Sequence, residues 1–168
     1  MSMKLYVMRH GPAEARRGGM VDADRALTVE GRAETASVAR GLARTGARPA
    51  LILTSPLVRA RQTAELVAQQ LLDGEGVTLS DVLLPGAGLD PLVHQLRVAT
   101  NDTLIVGHNP EMATFAGQCI SPAATTHIDL STAGVVCVAF EGAPALGEGT
   151  LRWYLRRAQL AALGELSQ

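Results

Sequence analysis

A chain of 168 residues with 47% hydrophobic and 18% charged side chains has the length of one domain and enough apolar surface for a core, so residues 1–168 are read as one unit without linkers. A net charge of −1 gives no electrostatic case for a nucleic-acid partner, and the longest apolar stretch, residues 135–140, is far too short to cross a bilayer. With no basic, apolar leader at the start, and with Cys119 and Cys137 forming neither a CxxC spacing nor a disulfide framework, a cytoplasmic protein without membrane partners is expected.

Charge is unevenly divided along the chain. Residues 1–61 carry eleven Lys or Arg against five Asp or Glu, net +6, and residues 62–168 carry four against eleven, net −7. Arg9 and Arg59 belong to the basic part, in which Arg40, Arg44 and Arg48 are expected to solvate the outer face and exit of a helix.

Residues 4–8 read as the first strand. Thr28 then caps a helix reaching about Thr45, with Glu30 in its first turn, Ala36, Ala39, Leu42 and Ala43 facing inward, and Gly46 placed to end it. A strand over 51–54 leads into a helix from Ser55-Pro56 to about Leu72, with Ala60, Ala64, Val67 and Leu71 on one face. Residues 77–83 give a further strand and residues 89–98 a short helix. After a strand at 103–107, a helix starts at Asn109-Pro110 and turns Met112, Phe115, Ala116 and Cys119 inward. Strands at 133–140 and 150–154 and an amphipathic helix over 155–166 complete the pattern, which is that of an α/β fold with a mostly parallel central sheet.

Three segments follow predicted strands and precede helix starts: Arg9-His10-Gly11, Ser55 to Arg59, and His108-Asn109. In open α/β sheets that edge is where ligands bind, because backbone N–H groups and helix dipoles already favour anions. A guanidinium holds two phosphate oxygens in a planar fork, an imidazole can attack phosphorus, and a glycine admits a close oxyanion. His10 is therefore the candidate nucleophile, Arg9, Arg59 and His108 the candidate holders of the phosphoryl oxygens, and Gly11 and Asn109 their neighbours. Since the arginines supply the neutralising charge, and no carboxylate-rich or Cys/His cluster is evident, neither metal nor cofactor is expected.

Four ordered blocks carry a resemblance. They read Met8-Arg9-His10-Gly11, Leu27-Thr28-Val29-Glu30-Gly31-Arg32, Thr54-Ser55-Pro56-Leu57-Val58-Arg59-Ala60-Arg61-Gln62-Thr63-Ala64, and Val106-Gly107-His108-Asn109-Pro110. In these the chain resembles the histidine phosphatase superfamily over nearly its whole length, and within it the small SixA-type phosphohistidine phosphatases. The resemblance implies a three-layer α/β/α sandwich of phosphoglycerate mutase-like type, with His10 as the phosphorylated histidine, Arg9 and Arg59 as phosphate-binding arginines and His108 as the second pocket histidine. Many superfamily members also place a glutamate or aspartate after the third strand, or an aspartate after the second histidine, as proton donor. Here those stretches read Leu83-Leu84-Pro85-Gly86 and His108-Asn109, which leaves Glu14 and Asp90 as the carboxylates to consider.

An imidazole leaves phosphorus more readily than an alkoxide, so an acid-poor pocket agrees with P–N cleavage. The expected function is that of a phosphatase working through a phosphohistidine intermediate on phosphohistidine in a signalling protein. The alternatives are a small-molecule phosphomonoesterase with the same pocket and a catalytically weak phospho-ligand binding module. Selectivity is assigned to loops around 12–26, 85–91 and 120–132. Of the remaining residues, Arg61 is expected to pair with Glu65, His94 to occupy a helix surface, His127 a loop, and Trp153 and Tyr154 the packing of a sheet. Asp22 and Asp24 are assigned to the approach to the first helix, with the alternative that they shape the loop over the pocket.

Overall fold

A computed structural model describes residues 2–72, 76–123 and 127–166. The apolar runs become strands β1 (Met3–Arg9), β2 (Leu51–Thr54), β3 (Val77–Leu79), β4 (Thr103–Gly107), β5 (Val135–Phe140) and β6 (Thr150–Leu155), joined in one sheet of order β3-β2-β4-β1-β5-β6. The first four lie parallel, and β5 pairs antiparallel with both β1 and β6. The periodic segments become α1 (Val29–Arg44), α2 (Val58–Leu71), α3 (Asp90–Leu96), α4 (Glu111–Ile120) and α5 (Arg157–Glu165).

Alternation along the strands divides the core between two faces. Tyr6, Met8, Ile52, Leu104, Val106 and Cys137 pack against Val38, Ala39 and Leu42 of α1, Ala64 and Val67 of α2 and Leu160 of α5. Leu5, Val7, Leu53, Ile105, Val136 and Val138 pack against Leu92 and Leu96 of α3 and Met112, Phe115 and Cys119 of α4. The result is a three-layer α/β/α sandwich, and no helix among the described residues is long and apolar enough to cross a membrane.

Several local expectations hold for local reasons. The Thr28 hydroxyl accepts the Gly31 N–H at 2.8 Å, and Gly46 follows α1 with φ of +82°, a conformation that glycine adopts without a Cβ clash. Cys119 and Cys137 are buried free thiols, and Arg61 pairs with Glu65 at 3.6 Å. Trp153 packs on Tyr6 with ring centroids 6.0 Å apart, while the Tyr154 hydroxyl donates to the Asp129 carbonyl.

Other expectations are corrected. The buried stripe of α1 is Thr35, Val38, Ala39 and Leu42, with Ala36 and Ala43 only half-buried, because α1 packs against both α2 and α5. Arg40, Arg44 and Arg48 are more than solvated: Arg40 pairs with Glu165 at 2.8 Å, Arg44 donates to the Leu166 carbonyl, and Arg48 closes the end of α1 on the carbonyls of Ala43 and Ala47. The strand expected over 77–83 stops at Leu79, where a 3-10 turn over Asp81–Leu83 begins.

Candidate active site

Sheet order brings the three motif segments together. Because β4 lies between β1 and β2, the residues that follow these strands at their carboxyl ends are lateral neighbours. Backbone bonds extend the ladder past the strands: the His10 N–H donates to the Gly107 carbonyl at 3.0 Å, and the Ser55 N–H to the Val106 carbonyl at 3.0 Å. Residues 49 and 98 positions from His10 in sequence, Arg59 and His108, thereby surround it.

The cluster is buried, with His10 at 8%, Arg59 at 4% and His108 at 4% exposure. His10 Nδ1 lies 2.7 Å from the Gly11 carbonyl oxygen. That oxygen can only accept, so the ring proton sits on Nδ1 and the lone pair on Nε2. Arg59 Nε donates to this Nε2 at 3.3 Å, which places a guanidinium against the unprotonated ring nitrogen. The His108 ring lies 5.2 Å from that of His10 between centroids, with its Nε2 2.8 Å from the Ser55 hydroxyl. Ser55 also accepts the Leu57 N–H, and His108 Nδ1 is buried with no partner among the described residues.

Burial is the main reason both rings stay uncharged. It pushes His10 down to about 4, with Arg59, Arg9 and Arg25 adding to the shift and the Gly11 hydrogen bond opposing it. It pushes His108 down to about 3, helped by His10 and Arg59. A neutral His10 with a fixed Nδ1 proton is the form that can attack an electrophile.

Arg9 is half-buried. Its Nη1 donates to the Leu130 carbonyl at 3.2 Å, and its Nε is buried without a partner among the described residues. Asn109 Nδ2 donates to the same carbonyl at 2.9 Å. Asn109 thus braces the wall that holds Arg9 and does not cap α4, which begins at Glu111 without a side-chain cap.

The expected oxyanion role of Gly11 is also corrected. Its N–H donates to Thr63 Oγ1 at 2.9 Å and is spent there. Glycine is required for packing, since a Cβ would fall 2.2 Å from Thr35 Oγ1. Thr63 in turn donates to the Arg59 carbonyl at 2.7 Å and links the His10 segment to the first turn of α2.

Neither carboxylate considered from sequence joins the cluster. Asp90 is exposed at the start of α3, beside a separate cavity bordered by His94 and Arg97. Glu14 is half-buried, and its backbone N–H donates to the Ala26 carbonyl at 2.9 Å. The carboxylate that does reach the site is Asp22, together with Arg25. Asp22 Oδ2 accepts from Arg59 Nη2 at 3.1 Å, and Asp22 Oδ1 lies 3.1 Å from Arg25 Nε. Partial desolvation raises the Asp22 carboxyl, but the charge and hydrogen bond of Arg59, with Arg25 and Arg16, outweigh it and hold the group below the ordinary carboxylate range. Ser55 and Thr63 lie in the motif block 54–64, which gave them no individual role; for Asp22 and Arg25 the signal in the sequence is the gathering of Arg16, Arg17, Asp22, Asp24 and Arg25 between the first strand and the first helix.

Beside the cluster, beginning at Asn109, lies a cavity of about 580 Å³ bordered by Thr114, Gln118, His127 and Asp129. It adjoins the loop expected over 120–132, of which residues 124–126 lie outside the described residues. Among the described residues no group of three His, Cys, Asp or Glu is arranged to hold a metal ion.

Fold and site define a phosphoglycerate mutase-like α/β protein with two neutral histidines and a set of arginines at the carboxyl edge of its sheet. Residues 5–81 match the family model for the histidine phosphatase superfamily, branch 1, and over them the chain is similar to this superfamily. It is 36% identical over 138 residues to an uncharacterized protein of Picosynechococcus sp. (strain ATCC 27264 / PCC 7002 / PR-6), an alignment covering 80% of this chain and 83% of that protein. Its fold is similar to that of the protein histidine phosphatase SixA solved with tungstate, with a TM-score of 0.79 and 24% identity over 94% of this chain and 99% of that one. It is also similar to that of a mycobacterial glucosyl-3-phosphoglycerate phosphatase, with a TM-score of 0.69 and 16% identity over 93% of this chain and 100% of that one.

Proposed function

We propose that the protein is a phosphatase that works through a phosphohistidine intermediate on His10, and that its substrate is phosphohistidine in a signalling protein. The observation that carries the mechanism is the pairing of His10 Nδ1 with the Gly11 carbonyl, which leaves the Nε2 lone pair beside Arg59. In the first step Nε2 forms a bond to phosphorus as the bond to the leaving group breaks. Arg9 and Arg59 hold the equatorial oxygens, and His108 contacts the same group. Water then attacks the phosphohistidine and releases phosphate. The arginines supply the positive charge, so the reaction needs no metal ion and survives chelation by EDTA.

The substrate assignment is supported by the state of the acids. Asp22, the carboxylate seated against Arg59, is held in its ionised form and has no proton to give at neutral pH. An imidazole leaving group makes the smallest demand for that proton. The cavity starting at Asn109 offers room for the polypeptide that carries the phosphorylated ring.

A small-molecule phosphomonoesterase is the second reading, favoured by Glu111. This residue lies three positions after His108; its Oε1 accepts the Gly86 N–H at 2.8 Å, and its Oε2 is buried without a partner among the described residues. A turnover screen that includes a phosphohistidine protein, sugar phosphates and nucleotide phosphates, run beside His10→Ala, separates the readings. Full activity in His10→Ala, or no acid-labile phosphate on the enzyme, overturns the mechanism. A specificity constant orders of magnitude higher for a small phosphomonoester overturns the substrate alone.

A further inference from the structure

Arg59 contacts His10 through only one of its nitrogens, and the other two are taken. Nη1 donates to the Asp22 backbone carbonyl at 2.8 Å and Nη2 to Asp22 Oδ2 at 3.1 Å, while the second carboxylate oxygen of Asp22 lies 3.1 Å from Arg25 Nε. One carboxylate thus lies between two guanidiniums, hydrogen-bonded to Arg59 through one oxygen and ion-paired, without a hydrogen bond, to Arg25 through the other, much as two equatorial oxygens of a phosphoryl group would be shared. The two partners differ in freedom: the Arg59 side chain is 5% exposed, and that of Asp22, on the 3-10 turn Asp22–Asp24, is 40% exposed. A half-solvated carboxylate gives up an ion pair at small cost because water takes over its hydrogen bonds, whereas a buried guanidinium left alone would pay heavily.

We propose that Asp22 is an internal counter-anion that holds the oxyanion position on Arg59 in the free protein and sets the affinity and charge selectivity of the pocket. This rests on reading the pocket as a phosphoryl site. An arriving phosphoryl group takes over Arg59 and Arg25 as the carboxylate moves into solvent, and no covalent bond changes. The displaced carboxylate stays at the rim, one negative charge beside the mouth. Substrates with further acidic groups next to the phosphoryl are therefore penalised relative to those whose phosphoryl sits on a neutral or basic group. Asp24, on the same turn, pairs with neither Arg59 nor Arg25 and serves as the control for charge alone.

The test is calorimetric titration of inorganic phosphate at low ionic strength into the wild-type protein, Asp22→Asn and Asp24→Asn. Asp22→Asn should bind phosphate on the order of five- to tenfold more tightly, with Asp24→Asn within about twofold of wild type. Adding Arg59→Ala to Asp22→Asn should abolish the gain. Unchanged or weaker binding in Asp22→Asn overturns the proposal, because Asp22 would then only position Arg59. So does an equal gain in Asp24→Asn, or no binding to any of the proteins. A protein that binds phosphate in the expected pattern yet releases none from any substrate overturns the hydrolytic reading and leaves this one standing.

Discussion

Arg59 Nε points at His10 Nε2 across 3.3 Å, so a buried guanidinium donates directly to the unprotonated ring nitrogen. Because the opposite ring nitrogen is fixed on the Gly11 carbonyl, the imidazole cannot turn away without losing a 2.7 Å hydrogen bond. Arg59→Ala is expected to lower kcat/KM by about 10²- to 10³-fold, the usual effect of removing one transition-state oxyanion donor. Arg59→Lys should recover little of that loss, since a point charge cannot serve His10 and two oxygens at once. Steady-state kinetics of both variants on one substrate decide it.

Depressed basicity of His10 makes a pH prediction. Its lone pair remains available as pH falls through 6.5 and is lost only near 4. The acid limb that the enzyme contributes to kcat/KM is therefore expected near pH 4. Nitrogen-15 NMR should show a neutral ring protonated on Nδ1 from pH 5 to pH 8. A ring that titrates near 6.5 would contradict the buried geometry.

The same groups affect stability. His10 and His108 titrate lower in the folded chain, at about 4 and about 3, than the ordinary 6.5 expected when unfolded. Between these values the unfolded chain binds more protons, so stability is full above about pH 6.5 and falls as pH drops through that window. Each histidine contributes a slope of about 1.4 kcal/mol per pH unit there. Urea unfolding at pH 7 and pH 5 measures it, and His10→Gln combined with His108→Gln should flatten the fall.

Thr63 joins the His10 segment to α2 through two bonds on one hydroxyl, accepting from Gly11 N and donating to the Arg59 carbonyl. Thr63→Val keeps the shape and strands a buried N–H, at an expected loss of about 1–3 kcal/mol and a lower kcat. Thr63→Ser keeps the oxygen and should restore both. Equal behaviour of the two variants would show that volume, and not the hydroxyl, matters at this position.

Gly11→Ala would drive its methyl to 2.2 Å from Thr35 Oγ1, and is expected to destabilise the fold by about 1–3 kcal/mol through overpacking. Removing that oxygen leaves the Thr35 Cβ 3.5 Å from the new methyl, an ordinary contact. Gly11→Ala with Thr35→Ala should therefore cost less than the sum of the single changes. A double-mutant cycle in urea reads this coupling directly.

Most of the scaffold was legible because it is written in short-range patterns. Strands β2 and β4 coincide with their apolar runs, and the Thr28 cap and Gly46 stop mark α1 through interactions spanning a few residues. His10 and His108 were legible because each directly follows a strand, Arg9 because it ends one, and Arg59 because it opens the helix that comes after one. What escaped depends on distant partners: alanines at 36, 39 and 43 suit either face of α1, and only the docking of α2 and α5 selects Val38 and Thr35 for burial. The clamp of Asp22 on Arg59 joins residues 37 positions apart, and nothing in the neighbourhood of either announces it. The use of the Gly11 amide by Thr63 was hidden for the same reason.

Arg9 and Asn109 converge on a single peptide oxygen, that of Leu130, in the connector between α4 and β5. His10 is tied instead to the rigid sheet through Gly107. Insertions or exchanges in that connector would consequently re-aim Arg9 while leaving the His10 ring where it is. Relatives with an unaltered reaction centre can thereby diverge in what they accept, with the record of that divergence kept in a stretch that touches no reacting atom.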